Sequence, residues 1–281
     1  MNDRPRLESL RDTACAAVRV GWAALLPFHQ RRRALRVEQK GIHDFVTQAD
    51  LAAEQAIAEA IRSRHPGHLI LGEESSEAKA KSTLEVTLDA DGPLWIVDPL
   101  DGTANFIHGY PVFGISVACA EEREILAGAV FDPVRDELYS AARGLGATLN
   151  GRPCHINERQ ELPGSLIATG FPFRRLARLE QFLATFRELL PHTAGLRRAG
   201  AASIDLAWLA SGRCDGFWEE GLGPWDIAAG ALLIEEAGGV VTDFSGGARY
   251  LDTGAIVAAT PGVHAALREI VHRAQGDGTL G

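Results

Sequence analysis

Residues 95–103 read Trp-Ile-Val-Asp-Pro-Leu-Asp-Gly-Thr. An apolar run ends there and at once presents two carboxylates, Asp98 and Asp101, three positions apart. Pro99 stiffens the turn between them. Gly102 permits close backbone approach, and the amides after it can face an anion where a helix starts. Converging carboxylates are costly unless a cation neutralises them. Hard divalent ions such as Mg²⁺ take oxygen ligands of this kind. One Asp in a turn is ordinary loop chemistry, but the whole string specifies a metal site.

Three further segments carry acids. Gly72-Glu73-Glu74-Ser75 follows a short apolar run, Pro224-Trp225-Asp226 opens an apolar helical stretch, and Asp44-Phe-Val-Thr-Gln-Ala-Asp50 ends on an acid that starts a helix. Each has a plain structural reading as a solvated acid or a helix cap. Together they place acids at strand exits and helix entrances, where active sites of layered α/β folds collect. With no Cys or Ser nucleophile motif beside them, the set points to metal-assisted hydrolysis. The rival motifs fail. The only lysines are Lys40, Lys79 and Lys81, none after a glycine, so there is no phosphate-binding P-loop. No GxSxG elbow occurs. His65 and His68 bracket Pro-Gly, which suits a surface turn and not helical metal-ligand spacing. His108, just behind the acid string, fits a site-lining and a packing role equally.

The elements that must hold these residues follow from periodicity. Leu7–Leu35 predicts a helix broken near Pro27, and Asp50–Arg64 a second, with Ala53, Ile57, Ala60 and Ile61 at helical spacing. Strands are predicted at Leu69–Leu71, Leu94–Val97, Val112–Ala120, Glu124–Phe131, Glu137–Ala142, Leu166–Thr169, Val240–Thr242 and Ile256–Ala258. Asn150-Gly151 marks a tight turn. Further helices are expected at Arg178–Leu190, Ser203–Ala210, Asp226–Ala237 and His264–Arg273. The polar stretch Glu77–Gly92 reads as a surface loop. The irregular mixing of strands and helices favours a layered α/β arrangement over a regular Rossmann alternation.

The composition sets outer bounds. The chain has 281 residues, 46% hydrophobic and 23% charged, with a formal net charge of −9. It is long enough for a sizeable core, and its charge opposes general binding to nucleic acid or to an anionic membrane. Cys15, Cys119, Cys154 and Cys214 are widely spaced with no CxxC pair, as expected of reduced thiols in the cytoplasm. The longest stretch without Asp, Glu, Lys or Arg, Gly102–Ala120, contains Asn105, His108, Gly109 and Pro111 and is no membrane span. No signal-peptide pattern opens the chain, so a cytoplasmic protein is expected.

Taken in order, four segments resemble the inositol monophosphatase family of Mg²⁺-dependent, Li⁺-sensitive phosphatases. They are Val46-Thr-Gln-Ala-Asp50, Gly72-Glu-Glu-Ser75, Trp95 through Phe106, and Trp225-Asp-Ile-Ala-Ala-Gly230 followed by Glu236-Ala-Gly-Gly239. The resemblance runs from about Leu7 to Ala266. Ile107-His-Gly109, Arg197 through Ser203 and Asp215-Gly-Phe-Trp-Glu219 resemble the bacterial SuhB-type branch most.

The resemblance implies alternating α-β-α-β-α layers in a single unit over residues 1–281. Its N-terminal half, about 1–145, carries the metal site and its C-terminal half, about 146–281, the substrate side. A homodimer is implied. Glu73, Asp98 and the Leu100 carbonyl would hold a first Mg²⁺, and Asp98, Asp101 and Asp226 a second. A third, looser ion would rest partly on Glu73. Thr103, oriented by Asp50, would with Glu73 position and deprotonate the attacking water. The amides of Gly102 and Thr103 would cradle phosphate, beside Asp101, while Ala202 and Glu219 fall where the family contacts substrate hydroxyls. Ala104 departs from the family, whose members often carry a second Thr there.

The implied reaction is hydrolysis of a small polyol phosphate, with myo-inositol 1-phosphate the first expectation. Histidinol phosphate, a 3′-phosphonucleotide, NADP and fructose 1,6-bisphosphate are alternatives with the same chemistry. SuhB-type relatives are also associated with transcription and ribosomal RNA maturation, so an RNA polymerase or antitermination partner is implied by analogy. The residues that could serve it are Arg31-Arg32-Arg33 and Arg197-Arg198, for which solvated helix and loop arginines are the plainer reading.

Overall fold

The computed structural model describes residues 3–32, 37–41, 44–76 and 92–275. The stretch 77–91, read above as a surface loop, and residues 33–36, at the end of the expected first helix, lie outside the described residues. Helix α1 (Arg4–Gln30) buries Leu10, Ala14, Ala17, Val18, Gly21 and Leu25, a stripe at helical spacing. Helix α1 runs through Pro27 and ends three residues later at Gln30, so the interruption expected near Pro27 is the helix's own C-terminus.

A hairpin follows, β1 (Val37–Gly41) against β2 (Asp44–Thr47), and β2 runs directly into α2 (Gln48–Arg64). Next come β3 (Leu69–Gly72), the single turn α3 (Glu73–Ser76), β4 (Leu94–Asp101) and the short helix α4 (Thr103–His108). The meander β5 (Gly114–Glu121), β6 (Glu124–Asp132), β7 (Glu137–Ala142), β8 (Ala147–Leu149) and β9 (Arg152–Pro153) completes a sheet ordered β3-β4-β5-β6-β7-β8-β9. Only β3 and β4 pair in parallel; the remaining neighbours are antiparallel. Asn150 and Gly151 both take positive φ between β8 and β9, as the Asn-Gly pair predicts.

The second sheet is built from β10 (Leu166–Thr169), β11 (Gly195–Arg197), β12 (Gly216–Glu220), β13 (Val240–Thr242) and β14 (Ala255–Ala259), in the order β11-β10-β12-β14-β13. Helices α5 (Leu179–Leu189), α6 (Ala202–Ala210), α7 (Pro224–Glu236), α8 (Tyr250–Thr253) and α9 (Pro261–Ala274) belong to this half.

Three hydrophobic clusters show the layering. Along β4, Trp95 and Val97 pack outward with α1 and α2, while Leu94 and Ile96 pack inward with α6 and α7. Along β12 and β14, Phe217, Ile256 and Ala258 join the same inner cluster, while Trp218, Val257 and Ala259 face α5 and α9. The central strands of both sheets are buried on both faces, which is why β4, β5, β6 and β14 read as nearly unbroken apolar runs. The order is α1/α2, first sheet, α6/α7, second sheet, α5/α9. This is the layered α/β fold expected from the sequence.

Candidate active site

The two carboxylates of the Asp98–Asp101 string share a face because β4 is bulged. Residues three apart in a regular strand point to opposite faces. Here Asp98 pairs with Ser116 and Asp101 with Gly114, so β4 carries one more residue than its partner across that interval. Pro99, which lacks the N–H a ladder needs, sits inside the bulge. The expected strand end at Val97 is therefore a continuation to Asp101. Gly102 then adopts φ +86°, and a Cβ there would stand 3.1 Å from the Val112 carbonyl oxygen, so glycine is required for the turn into α4.

The neighbouring strand supplies Glu73. Because β3 runs parallel to β4 with Gly72 opposite Val97, the residue after β3 falls beside Asp98. Glu54 on α2 secures it: its carboxylate accepts the N–H groups of Glu74 at 2.8 Å and Ser75 at 3.0 Å. Asp226 arrives from the middle layer, in the first turn of α7, where Oδ2 accepts the Gly223 N–H at 2.6 Å. Asp101 Oδ2 closes the start of α6, accepting the Ser203 N–H at 2.7 Å and the Ser203 hydroxyl at 2.6 Å.

Oxygen atoms of Asp98, Asp101 and Asp226 lie within 4.8 Å of one another. Asp98 is fully buried, and among the described residues its Oδ2 has no hydrogen-bond partner. Burial, and then the charges of Glu73, Asp101 and Asp226, hold its carboxyl well above the usual carboxylate range. An unpartnered buried oxygen among like charges is what a hard divalent cation relieves, so the donor set fits such an ion. Glu73 lines the same cavity as the three aspartates, and so does Leu100.

Asp50 is not the residue that begins its helix. Thr47 is the cap: its Oγ1 accepts the Ala49 N–H at 3.1 Å, while Asp50 Oδ2 accepts the Thr47 N–H at 2.9 Å. This leaves Asp50 Oδ1 facing Thr103, whose Oγ1 stands 3.0 Å from it and 3.0 Å from the Leu100 carbonyl oxygen. Burial raises the Asp50 carboxyl against the opposing hydrogen bonds from Thr47 and Thr103.

These groups open into one cavity of about 420 Å³. Gly102, Thr103, Ala104, Ala202 and Glu219 line it, as does His108. Every sequence-predicted site residue lines it except Asp50, which stands behind Thr103. Glu219 sits on β12 against Gly170, where a Cβ would collide with its carboxylate. Burial and the charge of Asp205 push the Glu219 carboxyl well up, while Arg198 opposes the rise.

Sequence reasoning missed four residues. Asp205 and Arg198 line the cavity. Glu54 holds the Glu73 turn, and Asn105 Nδ2 donates to the carbonyls of Val112, Ala199 and Gly200, tying the α4 turn to the approach to α6. Asn105 and Arg198 lie in segments singled out above, 95–106 and 197–203, but no spacing there assigns them these contacts, and Asp205 and Glu54 sit in no local pattern that sets them apart from solvated polar residues. Arg198 is not a surface arginine: it turns into the cavity, whereas Arg197 is exposed.

Comparison with known proteins agrees with this geometry. The profile of the inositol monophosphatase family matches residues 6–275. The chain is 45% identical over 254 residues to the Nus factor SuhB of Pseudomonas aeruginosa, covering 90% of this chain and 92% of that one. It is 46% identical over 240 residues to the inositol-1-monophosphatase of Rhizobium meliloti, covering 85% and 87%. Among solved structures, extragenic suppressor protein SuhB from Bartonella henselae superposes with a TM-score of 0.81 at 38% identity, covering 95% of this chain and 97% of that one. The inositol monophosphatase from Anabaena superposes at 0.82 with 36% identity, covering 96% and 97%. With the acid-lined cavity at the junction of its layers, this chain belongs to the inositol monophosphatase family.

Proposed function

We propose that this protein is a Mg²⁺-dependent phosphomonoesterase acting on a small polyol phosphate, with myo-inositol 1-phosphate the leading substrate. The observation that carries the reading is the Asp98–Asp101–Asp226 triad with its unpartnered buried oxygen. Glu73, Asp98 and the Leu100 carbonyl would hold one ion, Asp98, Asp101 and Asp226 a second, and Glu73 would contribute to a looser third. When bound, such ions neutralise phosphoryl charge and acidify water.

The chain's own groups do the remainder. The amides of Gly102 and Thr103 hold the phosphate. Thr103 receives the proton of the attacking water as its own hydroxyl proton passes toward Asp50 Oδ1, 3.0 Å away. Glu73, at the end of β3, is the second acceptor next to that water. Burial makes Asp50 a stronger base than an exposed aspartate, which suits the task. Ala202 and Glu219 lie on the leaving-group side, where the Glu219 carboxyl accepts a substrate hydroxyl. Phosphoryl transfer needs little more than positioning and charge neutralisation. Residues 1–281 act as one unit that pairs into a homodimer in the cytoplasm. The test is phosphate release from a panel of phosphomonoesters with Mg²⁺ and with excess chelator. Release that persists in chelator sinks the reading.

A second role rests on the similarity to proteins named Nus factor SuhB. It is a complex with the transcription machinery that does not need catalysis. Capture of RNA polymerase by Asp98→Asn protein as efficiently as by wild type supports it, and no capture by either rejects it.

A further inference from the structure

Among the described residues lining the cavity, seven carboxylates face a single guanidinium, that of Arg198. Its Cζ lies 5.0 Å from the ring centre of Phe171 and 5.2 Å from that of Phe173. Two aromatic faces fix the plane of the guanidinium and strip water from one side of it. Among the described residues its buried Nε has no hydrogen-bond partner and the side chain makes no hydrogen bond or ion pair. Asp205 and Glu219 feel its charge, yet neither approaches to ion-pair distance. A buried donor left unmade is costly, and an arginine placed only to offset nearby acids would pair with one of them.

Resting on the phosphatase reading above, we propose that Arg198 binds a second anionic group on the alcohol part of the substrate, so that the site takes phosphomonoesters bearing an additional phosphate or carboxylate. A guanidinium carries donors in a planar fork and no acceptor, which matches a carboxylate or phosphate and leaves a hydroxyl's proton unused. In a cavity so rich in acids, a second anion has one place where it is not repelled. Glu219 and Arg198 then divide the leaving group: an acceptor for its hydroxyls and a fork for its charge.

Two matched substrate pairs test this. Glycerol 2-phosphate and 2-phosphoglycerate differ by one hydroxymethyl-to-carboxylate change. Fructose 1-phosphate and fructose 1,6-bisphosphate differ by the second phosphate. The quantity read is kcat/KM of the charged member over its neutral partner. In Arg198→Gln that ratio falls at least ten-fold for one pair or both, through KM of the charged member, and Arg198→Lys recovers part of it. Which pair responds identifies carboxylate or phosphate as the anion. A ratio within two-fold of wild type for both pairs, or an equal loss on both members, overturns the proposal. Absence of Mg²⁺-dependent hydrolysis of every substrate, p-nitrophenyl phosphate included, would instead overturn the phosphatase reading. Calorimetric titration of wild type and Arg198→Gln with the same pairs then decides the subsite: a charge preference lost in the variant supports it, and no preference or no binding rejects it.

Discussion

Asp50 and Thr103 lie 53 positions apart in the chain, yet Oγ1 of the threonine sits 3.0 Å from Oδ1 of the aspartate. The same carboxylate closes the first turn of α2 with its other oxygen. One residue therefore ends a helix and orients the hydroxyl at the cavity wall. Asp50→Asn keeps an acceptor for the cap and removes the base. We expect kcat to fall by about two orders of magnitude while the melting temperature moves by only a few degrees. Parallel kinetics and thermal melts check this. A near-normal kcat would detach Asp50 from the chemistry.

Asp98→Asn separates the metal from the fold. The substitution removes a buried negative charge from among Glu73, Asp101 and Asp226. In chelator the variant should melt no lower than wild type. Mg²⁺ should raise the melting temperature of wild type by mass action and leave that of the variant unchanged. Turnover should be lost almost entirely.

Glu54 does not line the cavity but holds two amides of the Glu73 turn. In Glu54→Gln one of those amides faces an NH₂ group in place of an oxygen. The Mg²⁺ concentration for half-maximal activity should rise about ten-fold, the usual scale for a group that orients a ligand. A metal titration of activity measures it, and an unchanged midpoint would make Glu54 a plain turn residue.

Glu219→Gln is expected to raise KM for inositol phosphate more than it lowers kcat, and to matter little for p-nitrophenyl phosphate, which offers no hydroxyl. Equal losses on both substrates would place Glu219 in the metal shell or the fold.

A pH effect arises away from the cavity. The rings of His65 and His68 stack at 4.5 Å, and His68 Nδ1 accepts the Trp95 indole N–H at 3.0 Å. Burial lowers both imidazoles, with Arg64 adding to the effect at His65 and His65 itself at His68. A lowered folded value means the unfolded chain binds more protons below about pH 6.5. Their contribution to stability is thus complete at neutral pH and is lost as pH falls through that value. His68→Gln keeps an acceptor for Trp95 and cannot charge. Between pH 7.5 and 5.5 its melting temperature should fall less than that of wild type.

Much of this architecture is legible in the chain because the central strands of both sheets are buried on both faces. Apolar runs such as 94–97 and 166–169 stand out against polar turns, and acids at their ends mark the cavity. Strand β12 escaped because Gly216-Phe-Trp-Glu-Glu220 holds only two apolar residues. It is a strand because β10 and β14 pair with it on either side. The bulge at Pro99 reads as a turn in the sequence for a similar reason: the ladder that continues past it belongs to β5. Arg198, Asp205 and Glu54 gained their places from contacts distant in sequence, and no spacing rule reaches those.

Both helices of the middle layer start at the cavity wall, α6 under Asp101 and α7 at Asp226. Each also lies against strands of both sheets. A charge arriving between the aspartates thus pulls on two rods at their ends, and each rod is braced along its length by two walls. The cavity floor is consequently stiff along the helix axes, and what yield the site has must come from its rim, where Phe171 stands 41% exposed.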